Sequence, residues 1–427
     1  MSISTVVPSS TGAASIGSAH ALKCRECGAH YPLDASYACL ECFGPLEVAY
    51  ERSTVTREQI ESGPQSMWRY EALLPVVPGA AGRPGLNPGL TKLVRADNLA
   101  AALGAKAVWV KDDSGNPTHS FKDRVVAVAL ENARRLGYET IACASTGNLA
   151  NAVAAAAARA GLTSVVFVPS NLEAGKIVTT AVYGGTLVAI DGNYDDVNRL
   201  CTEVAAQRDW GFVNVNLRPY YAEGSKTVGY EIAEQLGWRL PDAVISPVAS
   251  GSLLTKVDKA FREFTELGLV AERPYRVFGA QATGCSPVSQ AFRAGQDFCT
   301  PVKPNTIAKS LAIGNPADGP YALDVARRTG GAIADVTDDE VVEGITLLAR
   351  TEGIFAETAG GVVVATYRKL LREGLIDPDA EVVLLNTGDG LKTLDAVAPT
   401  CQPTMTITPS YAAFDAAYDA INIGGAA

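Results

Sequence analysis

The stretch Ser114-Gly115-Asn116-Pro117-Thr118-His119-Ser120-Phe121-Lys122-Asp123-Arg124 decides how the rest of the chain is read. A short β-like run, Ala107-Val108-Trp109-Val110-Lys111, precedes it, and an apolar run with helical spacing follows over 124–136. Together they form a strand, a turn and a helix, with Lys122 delivered to the helix's first turn. Gly115, Asn116 and Pro117 supply the turn, and Ser120 is placed to cap. The positive end of a helix dipole disfavours another positive charge, which predicts a lowered pKa for Lys122. An amine held partly unprotonated is what bond formation to a carbonyl cofactor requires. The plain alternative is a surface lysine that opens a helix.

Outward from this stretch the chain alternates. Strand-like runs at 107–111, 140–144, 164–168, 186–190, 243–247, 276–280 and 381–385 are separated by helix-length amphipathic segments at 147–160, 193–208, 225–237, 252–267, 337–352 and 360–373. Runs such as Ser164-Val165-Val166-Phe167-Val168 are apolar throughout, so both faces of the strand are buried. The pattern predicts an α/β fold with mainly parallel sheets. The segment 410–427 has helical spacing and is expected to dock on the surface.

The N-terminal part follows a different pattern. Cys24-Arg25-Glu26-Cys27-Gly28 and Cys39-Leu40-Glu41-Cys42-Phe43-Gly44 are two C-x-x-C knuckles with eleven residues between them. Four thiolates at that spacing can occupy the corners of a tetrahedron, and a glycine after each pair eases the turn. The reading is a structural Zn2+ held by Cys24, Cys27, Cys39 and Cys42, with His30 outside the ligand set. Four free thiols or two disulfides are the alternatives. The other five cysteines are scattered singly and read as reduced core residues.

Composition excludes several classes. A net charge of -10 suits a nucleic-acid backbone poorly, so nucleic acid is not expected as a partner. Three histidines leave little room for a histidine triad, so base chemistry falls to Lys, Asp, Glu or Tyr. No apolar run approaches the roughly 18 residues of a membrane span, and the start shows no signal-peptide pattern, so the expectation is a cytoplasmic protein.

Three further turns follow strand-like runs. Ser145-Thr146-Gly147-Asn148 opens an alanine-rich helix, Pro247-Val248-Ala249-Ser250-Gly251-Ser252-Leu253 opens another, and Asn386-Thr387-Gly388-Asp389-Gly390 ends the last strand. Small residues at a helix start let backbone N–H groups converge on an anion. An ordinary capped strand-to-helix turn remains the alternative for the first two. The Gly388-x-Gly390 spacing lacks a third glycine, since Thr393 stands there, and it comes too late in the chain for a dinucleotide fingerprint.

Taken in order, these stretches resemble the threonine synthases, a branch of the fold-type II (tryptophan-synthase β-like) pyridoxal-phosphate enzymes. The run from Asn116 to Arg124 is similar to their lysine motif, with His119 where glycine is usual and expected at the pocket entrance. Ser310-Leu311-Ala312-Ile313-Gly314-Asn315-Pro316 and Gly353-Ile354-Phe355-Ala356-Glu357-Thr358-Ala359-Gly360 resemble two further loops, and the likeness spans roughly 90–396. It implies pyridoxal 5'-phosphate on Lys122, the catalytic residue. Asn148 would meet the cofactor's 3'-oxygen, the loop Ala249, Ser250, Gly251, Ser252 and Leu253 its phosphate, and Thr387 its ring nitrogen. Ser145 and Thr146 would receive a substrate carboxylate. The segment Asn214-Val215-Asn216-Leu217-Arg218 through Glu223-Gly224-Ser225-Lys226-Thr227 resembles the substrate-phosphate segment with a shifted spacing. It implies Asn214, Asn216, Arg218 and Lys226 as ligands, with a solvated basic pair as the alternative for the last two.

The implied organisation is a flexible tail (1–21), a zinc-ribbon-like unit (22–50), a connecting arm (51–90) and a catalytic body (91–400) of two parallel-sheet α/β subdomains, the smaller at about 139–235. A C-terminal tail (401–427) follows. The implied substrate is O-phosphohomoserine, and the implied assembly a homodimer. The rivals are a threonine/serine dehydratase or a β-replacement enzyme such as cysteate synthase on the same fold, and a binding module with a degenerate enzyme body.

Overall fold

Residues 16–424, apart from 146, 171, 173 and 193, are described by a computed structural model. Most of the tail expected over 1–21 lies outside them, as does the end of the segment 401–427. Among the described residues thirteen strands fall into three sheets.

The first sheet is small and antiparallel, in the order β2-β1-β3, from β1 (Ala19–Cys24), β2 (His30–Tyr31) and β3 (Leu46–Tyr50). It carries the two cysteine knuckles. The second has six strands in the order β12-β11-β10-β13-β5-β4, from β4 (Lys92–Arg95), β5 (Ala107–Asp112), β10 (Ala243–Pro247), β11 (Arg276–Ala282), β12 (Ile333–Val336) and β13 (Glu381–Asn386). All its pairings are parallel except β4 against β5 at the edge. The third is parallel throughout, in the order β8-β7-β6-β9, from β6 (Thr140–Ala144), β7 (Thr163–Pro169), β8 (Thr186–Ile190) and β9 (Gly211–Phe212). The α/β reading with two largely parallel sheets therefore holds. Every strand expected from an apolar run is present; β4, β9 and β12 are additions in the two larger sheets.

The helix Lys122–Arg135 is buried over most of its length, from Asp123 to Ala133. A helix buried over so long a run, with charged Asp123, Arg124 and Glu131 included, is a core element rather than a surface one. The alanine-rich helix Asn148–Ala160 and the helix Lys226–Gln235 belong to the same hydrophobic core. Close approach is enforced near the motif lysine, where a Cβ on Gly224 would lie 2.6 Å from the Arg124 carbonyl oxygen. Any larger residue there pushes the lysine-bearing turn out of place.

The expected cap is absent. Phe121 is the N-cap residue, no side chain caps the helix, and the buried Ser120 hydroxyl has no partner among the described residues. The arm behaves as its aromatics suggest: Trp68, Tyr70, Leu73 and Leu74 are all buried. Cys143, Cys201 and Cys285 are core residues as expected, but Cys401 is exposed. Among the described residues no helix is long and apolar enough to cross a membrane. The described residues from 393 on form a separate compact unit containing the helix Tyr411–Gly424, on which Phe414 and Tyr418 stack at 5.4 Å.

Candidate active site

Strand ends from both parallel sheets converge on one cavity of about 260 Å³. Ala144 closes β6, Pro247 closes β10, Thr387 follows β13, and the turn after β5 brings in Phe121 and Lys122. Ligands collect at the carboxyl ends of parallel strands because the following helices start there with unpaired N–H groups.

Of the residues singled out in the sequence, Lys122, Ser145, Asn148, Asn214, Arg218, Ala249, Ser250, Gly251, Ser252, Leu253 and Thr387 all line this cavity. Lys122 Nζ donates to the Tyr221 hydroxyl at 3.1 Å and lies 5.0 Å from the centre of the Phe121 ring. The Ser145 hydroxyl accepts from the N–H groups of Gly147 and Ala150 at 3.0 and 2.9 Å, so it braces the start of the asparagine helix. Asn214 clasps the end of β6, bonding both backbone groups of Ala144 at 3.2–3.3 Å.

Asn148 Nδ2 donates to both carboxylate oxygens of Glu357, at 3.1 and 2.9 Å. Burial raises the Glu357 pKa above the usual carboxylate value, against the pull of the Asn148 bond and of the charges on Lys392, Lys176 and Lys122. A Cβ on Gly388 would come within 2.5 Å of the Glu357 carboxyl carbon, so the Thr387-Gly388 turn packs directly on this acid.

The loop before the helix Ser252–Glu266 forms a cradle. Gly251 takes φ +99°, a Cβ on it would meet the Asp318 carbonyl oxygen at 2.7 Å, and no side chain caps the helix at its N-cap. Uncapped amides at a helix start bind anions. Across the cavity the Ser310 hydroxyl is buried with no partner among the described residues. An amine, an anion cradle and an unsatisfied hydroxyl around one cavity fit a phosphorylated carbonyl cofactor.

Three expectations fail. Asn216 does not line the cavity: its amide accepts from the Phe212 N–H at 2.8 Å and donates to the Trp210 carbonyl at 3.0 Å, stapling its own loop. Lys226 is fully buried elsewhere, bonded to the Leu73 carbonyl at 2.9 Å and paired with Glu223 at 2.9 Å and Glu263 at 3.1 Å. A buried ammonium needs carboxylates around it, and Glu223, which also holds Lys256 and Lys259, supplies that need away from the cleft. His119 is exposed and off the cavity; its φ of +62° lies in the left-handed region, which favours glycine. Thr146 lies outside the described residues.

Tyr221, Glu357 and Asp318 were given no role from the sequence, yet all three line the cavity. Tyr221 and Glu357 stood inside motifs already quoted, so their positions were a usable signal. Asp318 carries none, because its place depends on a loop closing over the cradle.

The Sγ atoms of Cys24, Cys27, Cys39 and Cys42 all lie within 4.8 Å of one another, two pairs being at 3.5 Å. A tetrahedral metal with M–S bonds of about 2.3 Å wants sulfurs about 3.8 Å apart, so this cluster can hold an ion. His30 is not among the grouped ligands and stacks on His20 at 6.4 Å. The turn after the second knuckle is made by Phe43 at φ +59°, while Gly44 serves to pack tightly, since a Cβ there would lie 2.9 Å from Cys24 Sγ.

The fold and the cleft define a class, and comparison with known proteins agrees: residues 86–388 match the family described as pyridoxal-phosphate dependent enzyme, and the chain belongs to it. Within that family, the threonine synthase of Methanocaldococcus jannaschii is 39% identical over 380 residues, covering 88% of this chain and 93% of that one. The threonine synthase of Methanosarcina acetivorans is 39% identical over 390 residues, covering 90% and 95%. Among solved structures, diaminopropionate ammonia lyase from Escherichia coli superposes with a TM-score of 0.63 at 20% identity, over 81% of this chain and 93% of that one. The processed form of threonine deaminase isoform 2 from Solanum lycopersicum gives 0.61 at 20%, over 73% and 88%. These two likenesses show the fold.

Proposed function

We infer that the chain is a threonine synthase, which converts O-phospho-L-homoserine and water to L-threonine and phosphate. The observation that carries this reading is the 39% identity to a threonine synthase over 88% of the chain. One amine, two buried acids and one arginine lining a single cavity among the described residues support it.

Lys122 would hold the cofactor through its amine, the Ala249–Leu253 cradle its phosphate, Asn148 its 3'-oxygen and Thr387 its ring nitrogen. When bound, pyridoxal phosphate supplies the electron sink that makes the substrate's α proton removable. Lys122 Nζ would take that proton and then one from the β carbon, so that phosphate leaves the γ carbon. One proton delivered to the γ carbon would make the methyl group, water would add at the β carbon, and Nζ would return a proton to the α carbon to close the cycle. Arg218 receives the leaving phosphate, and its planar fork suits two oxygens at once. Ser145 and Thr146 orient the substrate carboxylate. Zn2+ in the four-cysteine cluster, with no position open for water, is structural.

Incubating the cofactor-loaded protein with O-phospho-L-homoserine should release phosphate and threonine in equal amounts. Formation of a 2-oxo acid and ammonia from threonine, without phosphate release from the phosphorylated substrate, would move the chain to the dehydratases.

A further inference from the structure

Arg25 lies inside the first cysteine knuckle, between Cys24 and Cys27, and its guanidinium reaches Asp318 in the wall of the cleft. Nη1 is 3.6 Å from Asp318 Oδ1, and Cζ stands 3.4 Å over the centre of the Tyr321 ring. The same ring's hydroxyl donates to Glu26, so residues 25 and 26 grip one tyrosine from two directions. Asp318 is 7% exposed. Its second carboxylate oxygen accepts from Arg218 Nη2 at 2.9 Å, and its backbone N–H donates to the Ser250 carbonyl in the cradle at 2.8 Å. One nearly buried carboxylate thus bridges an arginine of the knuckle and the arginine of the cleft.

The two guanidiniums have different tasks. To present its whole fork to a phosphate, Nη2 included, Arg218 gives up its bond to Asp318, and a buried carboxylate stripped of its counter-ion is heavily penalised. Arg25 approaches the opposite carboxylate oxygen, so its contact does not depend on the one Arg218 makes. We propose that Arg25 is a positioning residue for substrate phosphate: it keeps the Asp318 charge compensated, which frees Arg218 for the incoming anion. The cysteine knuckle is thereby part of the phosphate site's electrostatics as well as an appendage of the fold. The inference rests on the reading that Arg218 receives the substrate's phosphate.

The test is a mutant cycle on the cofactor-loaded enzyme, read by calorimetric binding of inorganic phosphate and by steady-state kinetics. Arg25→Ala should weaken phosphate binding and raise KM about tenfold while kcat stays within about twofold, because only the counter-ion balance changes. Arg25→Lys should restore part of the loss. In an Asp318→Asn background Arg218 has no carboxylate to leave, so adding Arg25→Ala should then change phosphate affinity less than about twofold. Tyr321→Leu, which removes the ring under Arg25, provides a milder version should Arg25→Ala not fold, and should weaken phosphate binding about threefold. Unchanged phosphate affinity in Arg25→Ala, or an equal loss in both backgrounds, overturns the proposal. Calorimetry reads the Arg25–Asp318 coupling whatever the overall reaction, so a failure of the threonine synthase reading appears separately, as absent phosphate release by the unmutated enzyme.

Discussion

Arg124 and Arg218 both bond carboxylates close to the lysine-bearing turn, and they are built in opposite ways. Arg124 follows Lys122 by two residues, has no solvent exposure and is enclosed by Asp113 at 2.7 and 2.8 Å, Glu231 at 2.7 Å, and the hydroxyls of Thr91 and Thr227, each at 3.1 Å. Lys111 joins the same Glu231 at 2.6 Å. Among the described residues Arg218 has a single carboxylate partner, Asp318, and its side chain at the cavity wall is 31% exposed. A guanidinium whose donors are all engaged locks a turn in place, whereas one with donors to spare can exchange its partner for a ligand. Position in the sequence does not separate the two, but the number of partners does.

The largest effect should come from breaking the closed network. Arg124→Ala leaves Glu231 and Asp113 buried with one cation between them, and should cost about 3–5 kcal/mol in urea unfolding. Lys226→Met, in the second closed cluster, should lower stability by a similar order, about 3 kcal/mol, while KM for the phosphorylated substrate stays put. A raised KM without lost stability would return Lys226 to the substrate site. Arg218→Ala should show the reverse pattern, with stability altered by less than about 1 kcal/mol and kcat/KM for phosphate release down about 100-fold.

Acid should separate the groups around the lysine turn. Arg124 and Lys111 hold the Glu231 carboxyl at about 2, against the opposing effect of its burial. Its contribution is therefore complete above its ordinary value near 4.5 and is lost as pH falls through about 2. Asp123 is pushed up by burial to about 6, so its contribution is complete below its ordinary 3.8 and is lost as pH rises through about 6. Asp123→Asn should flatten the stability profile between pH 4 and 6 and leave the acid limb to Glu231, which unfolding midpoints at those pH values would check. The smallest effect belongs to His119→Gly, which relieves a left-handed backbone and should stabilise by about 1 kcal/mol or less, with turnover unchanged.

Much of this was legible in the sequence because it is local. Two C-x-x-C knuckles specify their own ligand set, and buried parallel strands such as β7 declare themselves by continuous apolar runs. The turns after β5, β6, β10 and β13 could be matched one by one, and, His119 apart, the residues assigned to them meet at one cavity wherever the structure describes them. Edge strand β4 was hidden because both its ends are charged and exposed, and β12 because Asp335 sits in its middle. Lys226 and Asn216 were misplaced for another reason. Both lie in a segment whose spacing had shifted, and whether such a side chain faces the cleft depends on carboxylates and carbonyls supplied from elsewhere, Glu263 and Trp210 among them. Asp318, which ties the cleft to the knuckle, is a single acid in a loop with no local pattern at all.

The account rests on one amine. Treating the cofactor-loaded protein with borohydride and mapping the labelled peptides asks directly which lysine carries pyridoxal phosphate. The label should fall on the peptide containing Lys122, and Lys122→Ala should lose both the label and the release of phosphate. A label on Lys176 or Lys392, or phosphate release that survives Lys122→Ala, would contradict it.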